Sequence, residues 1–280
     1  MNKEKLKLDF LWRLSSLAQS MEEYISTKDG QRKIKWFIDD YKTIYTISSD
    51  TKIVSKILEI HLFPLIQKFA QKNWYEIILA EAQNRYPDLS FISKKDSNIR
   101  FAVDLKTTYR LLNNKEYCNG FTLGSHWEYF VNRTSTKNIQ FPYNQYLWHF
   151  CLGIIYDRVE KDTDDTQTYT LKELKKIKSV ISNFTFFACE KRKIASDKGG
   201  SGNTANIWSI KYIPDIIIWK WIFEKLGEER FDDYRCNYGK LIVQDKKKWG
   251  TKKLTNIEEL LIYKGYQGNF TKKSVTRWRK

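Results

Sequence analysis

Two N-terminal segments of the chain carry apolar residues at helical spacing. Leucines and other apolar residues recur every three or four positions across residues 6–25, which predicts an amphipathic helix. A second helix is predicted to start after Ser49 or Asp50, because either side chain can cap it, and to run toward Lys72. Pro64 is expected to kink this second helix, because proline lacks the backbone N–H that a helix interior uses.

The central part of the chain changes to the pattern of β-strands. Residues with β-branched and aromatic side chains dominate three short runs, at 75–80, 89–93 and 99–105. The polar segment 94–98 has the length of a connection in an antiparallel hairpin. A further buried strand is predicted at 184–188.

Helical signals return in the second half of the chain. One helix is predicted to begin after Pro142 and to extend to Val159, with the proline near its first turn. Others are predicted around 216–226 and at Ile257–Tyr263. The alternation predicts a mixed α/β protein in which helices flank a central mixed β-sheet. No Pro/Gly-rich linker divides the chain, so one compact unit is expected.

The composition restricts the class of partner. The chain has 49 Lys and Arg against 33 Asp and Glu, a formal net charge of +16 and a pI near 9.5. This excess favours a polyanionic partner, with nucleic acid as the first candidate and an anionic membrane surface as the second. The most apolar stretch, residues 213–223, contains Asp215 and Lys220 and is too short to cross a bilayer, so no membrane-spanning segment is predicted.

The N-terminus and the cysteines indicate a reducing compartment. The opening residues MNKEKLKLDF carry charges where a signal peptide would carry an apolar run, so export is not expected and a cytoplasmic location is predicted. The four cysteines and three histidines lie far apart, without a C-x-x-C pair. Neither a zinc site nor a disulfide framework is predicted from this spacing.

The strands predicted at 89–93 and 99–105 bring charged side chains toward each other. Asp104 and Lys106 lie two residues apart on one strand, so they point to the same face, about 7 Å apart by strand rise. Leu105 points to the opposite face, toward the core. Asp88 precedes the neighbouring strand, and an antiparallel return would bring its carboxylate within reach of Asp104. Two acids and one amine are therefore expected to converge.

Convergent buried carboxylates repel each other unless a cation lies between them, and Mg²⁺ suits one or two carboxylates together with phosphate oxygens. Lys106 could then stabilise charge on an attacked phosphate or take a proton from the attacking water, and both roles stay open. Alternatively, Asp88 and Asp104 are solvated acids at strand ends and Lys106 is an edge residue that discourages aggregation. The apolar segment FAVDL around Asp104 favours a site, because an unpaired buried charge is costly.

Ordered segments over about 160 residues resemble the EcoRV-type restriction endonucleases, a branch of the PD-(D/E)xK nuclease superfamily. They are SDTKIVSKILEI (49–60), NRYPDLSF (84–91), FAVDLKTTY (101–109), FTLGS (121–125), TKNIQFPYNQY (136–146), YDRV (156–159) and GGSGNTANIWSI (199–210). The resemblance implies a restriction-endonuclease-like core and a single domain over residues 1–280. That domain would combine an N-terminal helical dimerisation part with a DNA-binding and catalytic part, in a prokaryotic cytoplasm.

The resemblance also implies an activity. The chain would be a homodimeric type II restriction endonuclease that uses Mg²⁺ to hydrolyse both strands of a short palindromic site in double-stranded DNA. The site would be GATATC or a relative, cut to blunt ends. A cognate methyltransferase would act on the same site without forming a stable complex. Two alternatives stay open: a catalytically inactive sequence-specific DNA-binding protein, and a structure-directed repair nuclease of the same fold.

The resemblance carries site residues over position by position. Asp88 and Asp104 match the metal-binding carboxylates, Lys106 matches the catalytic lysine, and Glu59 matches an acidic residue near the active site that is included among the metal ligands. The positions that match DNA-contacting residues are Gln83 and Asn84 in a minor-groove loop, Gly200, Ser201, Gly202, Asn203 and Thr204 in a major-groove loop, and Lys52, Thr108, Lys137 and Asn206 elsewhere.

The glycine-rich loop has suitable chemistry for reading bases. Glycines let the main chain approach base edges, and asparagine can pair bidentately with adenine. The same segment fits a G-x-G-x-x-A dinucleotide motif, but the polar stretch 190–198 separates these glycines from the preceding strand, as that motif does not allow. Ala82, Arg85 and Ala205 depart from the family pattern, so the catalytic residues carry over more directly than the recognised sequence.

Overall fold

A computed structural model describes residues 2–82, 85–124, 128–159, 167–199, 207–245 and 249–266 of the chain. Its helices are α1 (Lys3–Ile25), α2 (Thr51–Lys72), α3 (Glu128–Val131), α4 (Ile213–Ile217), α5 (Ile222–Asn237) and α6 (Ile257–Tyr263). Its strands are β1 (Trp36–Ile38), β2 (Ile44–Thr46), β3 (Tyr75–Leu79), β4 (Leu89–Ser93), β5 (Arg100–Tyr109), β6 (Trp148–Arg158), β7 (Thr168–Tyr169), β8 (Ile181–Glu190), β9 (Ala195–Gly199), β10 (Ile207–Ser209), β11 (Ile242–Gln244) and β12 (Thr251–Lys253). Short 3₁₀ turns are formed at Tyr143–Gln145, Leu171–Lys176 and Lys191–Ile194.

A five-stranded mixed sheet has the order β3-β4-β5-β6-β8. Strands β3, β4 and β5 form an antiparallel meander, β5 runs parallel to β6, and β6 is antiparallel to β8. A separate small sheet joins β1, β2 and β7. The mixed α/β class and the central sheet are confirmed, and the four predicted strands correspond to β3, β4, β5 and β8.

The two N-terminal helices are confirmed, and each is capped by a side chain. Asn2 caps α1 and Asp50 caps α2, each accepting a hydrogen bond of 2.9 Å from the backbone N–H two residues further on. Pro64 lies inside α2 and does not end it. Helix α1 packs its apolar face on the sheet, where the ring of Phe10 stacks on Phe101 with centroids 4.2 Å apart.

Apolar residues cover both faces of the central sheet. One cluster joins α1 and α2 to the face that carries Phe91, Val103 and Phe150. A second cluster joins residues of α4, α5 and α6 to the opposite face, at Cys151 and Phe187. Val103 belongs to the first cluster. Because side chains alternate along β5, the next residue, Asp104, points to the opposite face, where its pairing partner Cys151 belongs to the second cluster.

The prediction of a helix after Pro142 is wrong. Only the 3₁₀ turn Tyr143–Gln145 follows the proline, and the chain then extends as β6, which is buried along nearly its whole length. Phe150 and Ile154 face one apolar cluster while Cys151 faces the other. A strand buried on both faces has a continuous apolar run, so it lacks the alternation that would have distinguished it from a buried helix.

The C-terminal helices are only partly as predicted. The helix predicted around 216–226 is interrupted between α4 and α5, where Trp219 has a positive φ of 56° that an α-helix does not allow. Helix α6 has its predicted bounds. The four cysteines are free. Among the residues that the structure describes, no helix combines the length and apolarity needed to cross a membrane.

Candidate active site

The hairpin of β4 and β5 positions the predicted acids. Leu89 pairs with Val103 across this hairpin, so Asp88 lies beside the backbone that carries Asp104. Oδ2 of Asp88 accepts a hydrogen bond from the backbone N–H of Leu105 at 2.8 Å. Antiparallel pairing therefore brings together two acids that are separated along the chain by the whole hairpin.

Asp104 is the buried centre of the cluster. It is 3% exposed, and its Oδ2 accepts a hydrogen bond from Nζ of Lys191 at 2.7 Å and forms an ion pair with Nζ of Lys106 at 3.1 Å. A carboxylate in the interior needs such partners, because an isolated buried charge costs several kcal/mol. The side chains of Asp104 and Lys106 lie on one face of β5, as the alternation predicted.

Burial and neighbouring charges shift the pKa values of the two acids in opposite directions. Burial, reinforced by the negative charge of Asp104, raises the pKa of Asp88 to about 6. Burial also disfavours the ionised form of Asp104, but the ammonium groups of Lys106 and Lys191 outweigh it and hold the pKa of Asp104 well below its usual 3.8. Asp104 therefore stays ionised in the neutral range, whereas Asp88 exchanges its proton near pH 6.

Lys191 is a member of this cluster that the sequence analysis missed. It begins the 3₁₀ turn directly after β8, is 5% exposed, and its Nζ lies 4.1 Å from the centre of the Tyr86 ring. In the sequence it stands beside Arg192 and Lys193 in a basic run, without a local signal that separates it from them. The sheet brings it to Asp104, which lies 87 residues earlier in the chain.

An open cleft of about 900 Å³ lies in front of Asp88. Its walls include the first turns of α2 and the end of β3, and it is lined by Lys52, Lys56 and Glu59 as well as Asp88. Glu59 pairs with Lys56 at 3.0 Å, and its charge contributes to the raised pKa of Asp88. Acids with cationic neighbours in one cleft form a suitable environment for a phosphodiester backbone.

The structure places the other predicted DNA-contacting residues in different environments. Lys52 is exposed in the first turn of α2 and lines the cleft, and Lys137 is exposed on a loop. Thr108 is 3% exposed, and its hydroxyl has no hydrogen-bond partner in the part of the chain that the structure describes. Thr108 is thus not brought to the surface with the two lysines. The predicted base-reading residues lie outside the described residues, namely Gln83, Asn84, Gly200, Ser201, Gly202, Asn203, Thr204 and Asn206.

The carboxylates of Asp88 and Asp104 offer the hard oxygen ligands that Mg²⁺ prefers. Within the described ranges, no group of three or more His, Cys, Asp or Glu side chains could hold a metal ion. Mg²⁺ commonly binds to only one or two protein carboxylates and completes its coordination with water and phosphate oxygens. The residues therefore fit a Mg²⁺ ion that is shared with a nucleic-acid phosphate, and they do not fit a site enclosed by protein alone.

The fold and the site together define a class of enzyme, the phosphodiester-cleaving nucleases. In this basic α/β chain, Asp88 lines an open cleft and lies beside the ion pair of Asp104 and Lys106. Residues 23–265 match the family model described as Restriction endonuclease EcoRV. The chain is 38% identical over 196 residues to the Type II restriction enzyme EcoRV of Escherichia coli, an alignment that covers 70% of this chain and 78% of that enzyme. The chain belongs to the EcoRV restriction endonuclease family and is a type II restriction endonuclease, a site-specific deoxyribonuclease.

Proposed function

We propose that the protein hydrolyses both strands of a short palindromic DNA site in a Mg²⁺-dependent reaction that leaves blunt ends. The observation that carries this proposal is the cluster of Asp88, Asp104 and Lys106, in which Asp88 lines the open cleft. GATATC or a close relative is the proposed site, because the segment GSGNT at residues 200–204 retains the family's base-reading residues.

Asp88 and Asp104 would hold the Mg²⁺ ion, and Glu59 lines the cleft beside Asp88 as a further acid that pairs with Lys56. When bound, such an ion polarises the scissile phosphate and lowers the pKa of the attacking water. Asp104 needs no proton loss for this role, because its two ammonium partners keep it ionised. Asp88 loses its proton near pH 6, so both carboxylates are charged under mildly alkaline conditions.

The surroundings of Lys106 favour one of the two roles that its sequence left open. Burial tends to lower the pKa of Lys106, but the negative charges of Asp104 and Asp88 outweigh this and raise the pKa above its usual 10.5. A lysine that holds its proton so firmly is a poor proton acceptor. We assign Lys106 to the stabilisation of negative charge that develops on the attacked phosphate.

Base recognition is assigned to the residues that match the family's two reading loops. Gly200, Gly202 and Asn203 would approach base edges from the major groove, where the four base pairs present distinct hydrogen-bonding patterns. Gln83 and Asn84 would act from the minor groove. The central T·A step of GATATC is flexible and can be recognised through its deformation, without direct contact.

Contacts with the DNA backbone would supply affinity and register. Lys52 lies at the cleft and Lys137 is exposed, so both can reach phosphates. The net charge of +16 supports binding that is largely independent of sequence and that weakens steeply as the salt concentration rises.

We assign the dimer contact to the hairpin of β1 and β2. This hairpin exposes several apolar side chains, with Tyr41 91% exposed. Helix α1, by contrast, turns Phe10 into its own core, so its apolar face is occupied within the chain. A second copy would cover the exposed residues of the hairpin and give the two-fold symmetry that a palindromic site requires. Those residues are Phe37, Ile38, Tyr41 and Tyr45.

Membership of the family supports the remaining elements of the proposal. Residues 1–280 would act as one restriction endonuclease domain in a prokaryotic cytoplasm. A cognate methyltransferase would protect the host's own copies of the site by modifying the same sequence, without a stable complex between the two enzymes.

Digestion of a fully sequenced plasmid tests the proposal. With Mg²⁺, the protein should produce discrete fragments whose mapped ends lie at the centre of one palindrome, and with EDTA it should produce none. Asp104→Asn should abolish the fragments. Asp96→Asn is the matched control, because Asp96 is an exposed acid in the β4–β5 connection and should leave cleavage intact. Retarded but uncut DNA in a gel shift, or cleavage of junctions and nicks alone, would contradict the proposal.

A further inference from the structure

Two ammonium groups share one oxygen of the central carboxylate. Nζ of Lys106 and Nζ of Lys191 lie 3.1 and 2.7 Å from Oδ2 of Asp104, so the shorter contact is the one made by the lysine that is distant in sequence. The side chain of Lys191 is 6% exposed, whereas that of Lys106 is 23% exposed. Lys191 is therefore the inner of the two counter-ions.

Lys191 lies in the interior beside Asp104, away from the residues that line the open cleft. It does not line the open cleft, but it lines a separate small cavity together with Tyr86, Trp148 and His149. Its ammonium group packs over the face of the Tyr86 ring, which favours a cation there. From this position the side chain contacts Asp104 and is only 6% exposed, so we assign it no direct contact with DNA.

The charges of the cluster balance without a metal ion. When both acids are ionised, Asp88 and Asp104 carry two negative charges, and Lys106 and Lys191 carry two positive charges. Glu59 and Glu81 also line the cleft, and they already pair with Lys56 and Arg85. The DNA-free cluster therefore has no excess negative charge that would attract a divalent cation. A DNA phosphate bound in the cleft would supply that negative charge.

We infer that Lys191 is a positioning residue that acts as the internal counter-ion of Asp104 and keeps the affinity of the DNA-free protein for divalent cations low. Cation binding then depends on the phosphate of bound DNA. This inference rests on the proposed Mg²⁺-dependent function. It assigns Lys106 and Lys191 different tasks, because the side chain of Lys106 is 23% exposed whereas that of Lys191 is 6% exposed.

Binding of Mn²⁺ to the full-length protein, measured by electron paramagnetic resonance without DNA, tests the inference directly. Lys191→Met and Lys191→Gln both remove the charge and should tighten Mn²⁺ binding by at least about tenfold, whereas Lys191→Arg should keep the wild-type affinity. Lys193→Met is the matched control, because Lys193 pairs with Glu190 and not with Asp104. Thermal unfolding of each variant shows whether the fold is retained.

The outcomes separate this inference from the proposed function. Mn²⁺ affinities of the folded neutral variants that equal the wild-type value, or lie below it, would overturn the role of Lys191. The role of Lys191 would also be overturned if Lys193→Met tightened Mn²⁺ binding as much as Lys191→Met. With duplex DNA present, the wild-type protein should bind Mn²⁺ more tightly than without DNA. A wild-type protein that fails to bind Mn²⁺ even with DNA would instead overturn the metal-dependent function itself.

Discussion

Removing the charge from each of the two acids should change stability in opposite directions. Burial raises the pKa of Asp88 to about 6, so ionised Asp88 is a cost to the folded state. The ammonium partners of Asp104 hold its pKa below 3.8, so ionised Asp104 stabilises the folded state. We therefore expect Asp88→Asn to stabilise the metal-free protein and Asp104→Asn to destabilise it, although both should abolish cleavage.

The magnitude for Asp88 follows from its pKa. A rise in the pKa of Asp88 from 3.8 to about 6 means that its ionised form costs the folded state about 3 kcal/mol at pH 8. We therefore expect Asp88→Asn to raise the free energy of unfolding by about 1 to 3 kcal/mol. Because the pKa of Asp88 is raised in the folded state, the protonated form of Asp88 favours folding. This contribution to the stability of the wild-type protein is complete below pH 3.8 and is lost as the pH rises through 6. The stabilisation by Asp88→Asn should accordingly shrink to about half at pH 5. The amide oxygen can still accept the hydrogen bond from Leu105.

Asp104→Asn leaves the ammonium groups of Lys106 and Lys191 without the carboxylate that they share. We expect the free energy of unfolding to fall by about 3 to 5 kcal/mol. Urea unfolding in EDTA at pH 8 and pH 5 measures both variants, with Asp96→Asn as the control for an exposed acid. A destabilised Asp88→Asn at pH 8, or two variants that shift in the same direction, would refute the assignment of opposite electrostatic roles.

Three further predictions concern chemistry and assembly. Lys106→Met should reduce the cleavage rate by orders of magnitude, while gel shifts should show that DNA binding is retained. A comparable loss of cleavage and of DNA binding would show instead that Lys106 acts in binding. The Mg²⁺ concentration for half-maximal cleavage should rise about tenfold per pH unit below pH 6, because Asp88 becomes protonated, and a flat profile would exclude Asp88 as a ligand. Phe37→Ser with Tyr41→Ser should yield monomers in analytical ultracentrifugation, whereas Ile262→Ser, an equally apolar exposed site on α6, should leave dimers.

Local sequence was sufficient to predict those features whose stabilising interactions are formed between residues close together in the chain. Asp50 caps the helix that it was predicted to cap, since a side-chain oxygen two or three residues from a free N–H suffices. The strand period placed Asp104 and Lys106 on one face of β5. The short connection between β4 and β5 implied that Asp88 would return beside them, because a hairpin permits few registers.

Other features depended on what the sheet packs against and on which distant strands pair. Strand β6 was predicted as a helix because burial on both faces removes the alternation that marks a strand, and those faces are covered by segments from opposite ends of the chain. Lys191 could not be distinguished from its basic neighbours, because its partner Asp104 lies two strands away in the sheet. Periodicity and capping act over one or two turns of backbone, so the sequence by itself determined the two N-terminal helices, the β4–β5 hairpin and the acidic pair. The burial of a charge is determined by surrounding atoms from the whole chain, so only the tertiary structure decided which lysine neutralises the central carboxylate.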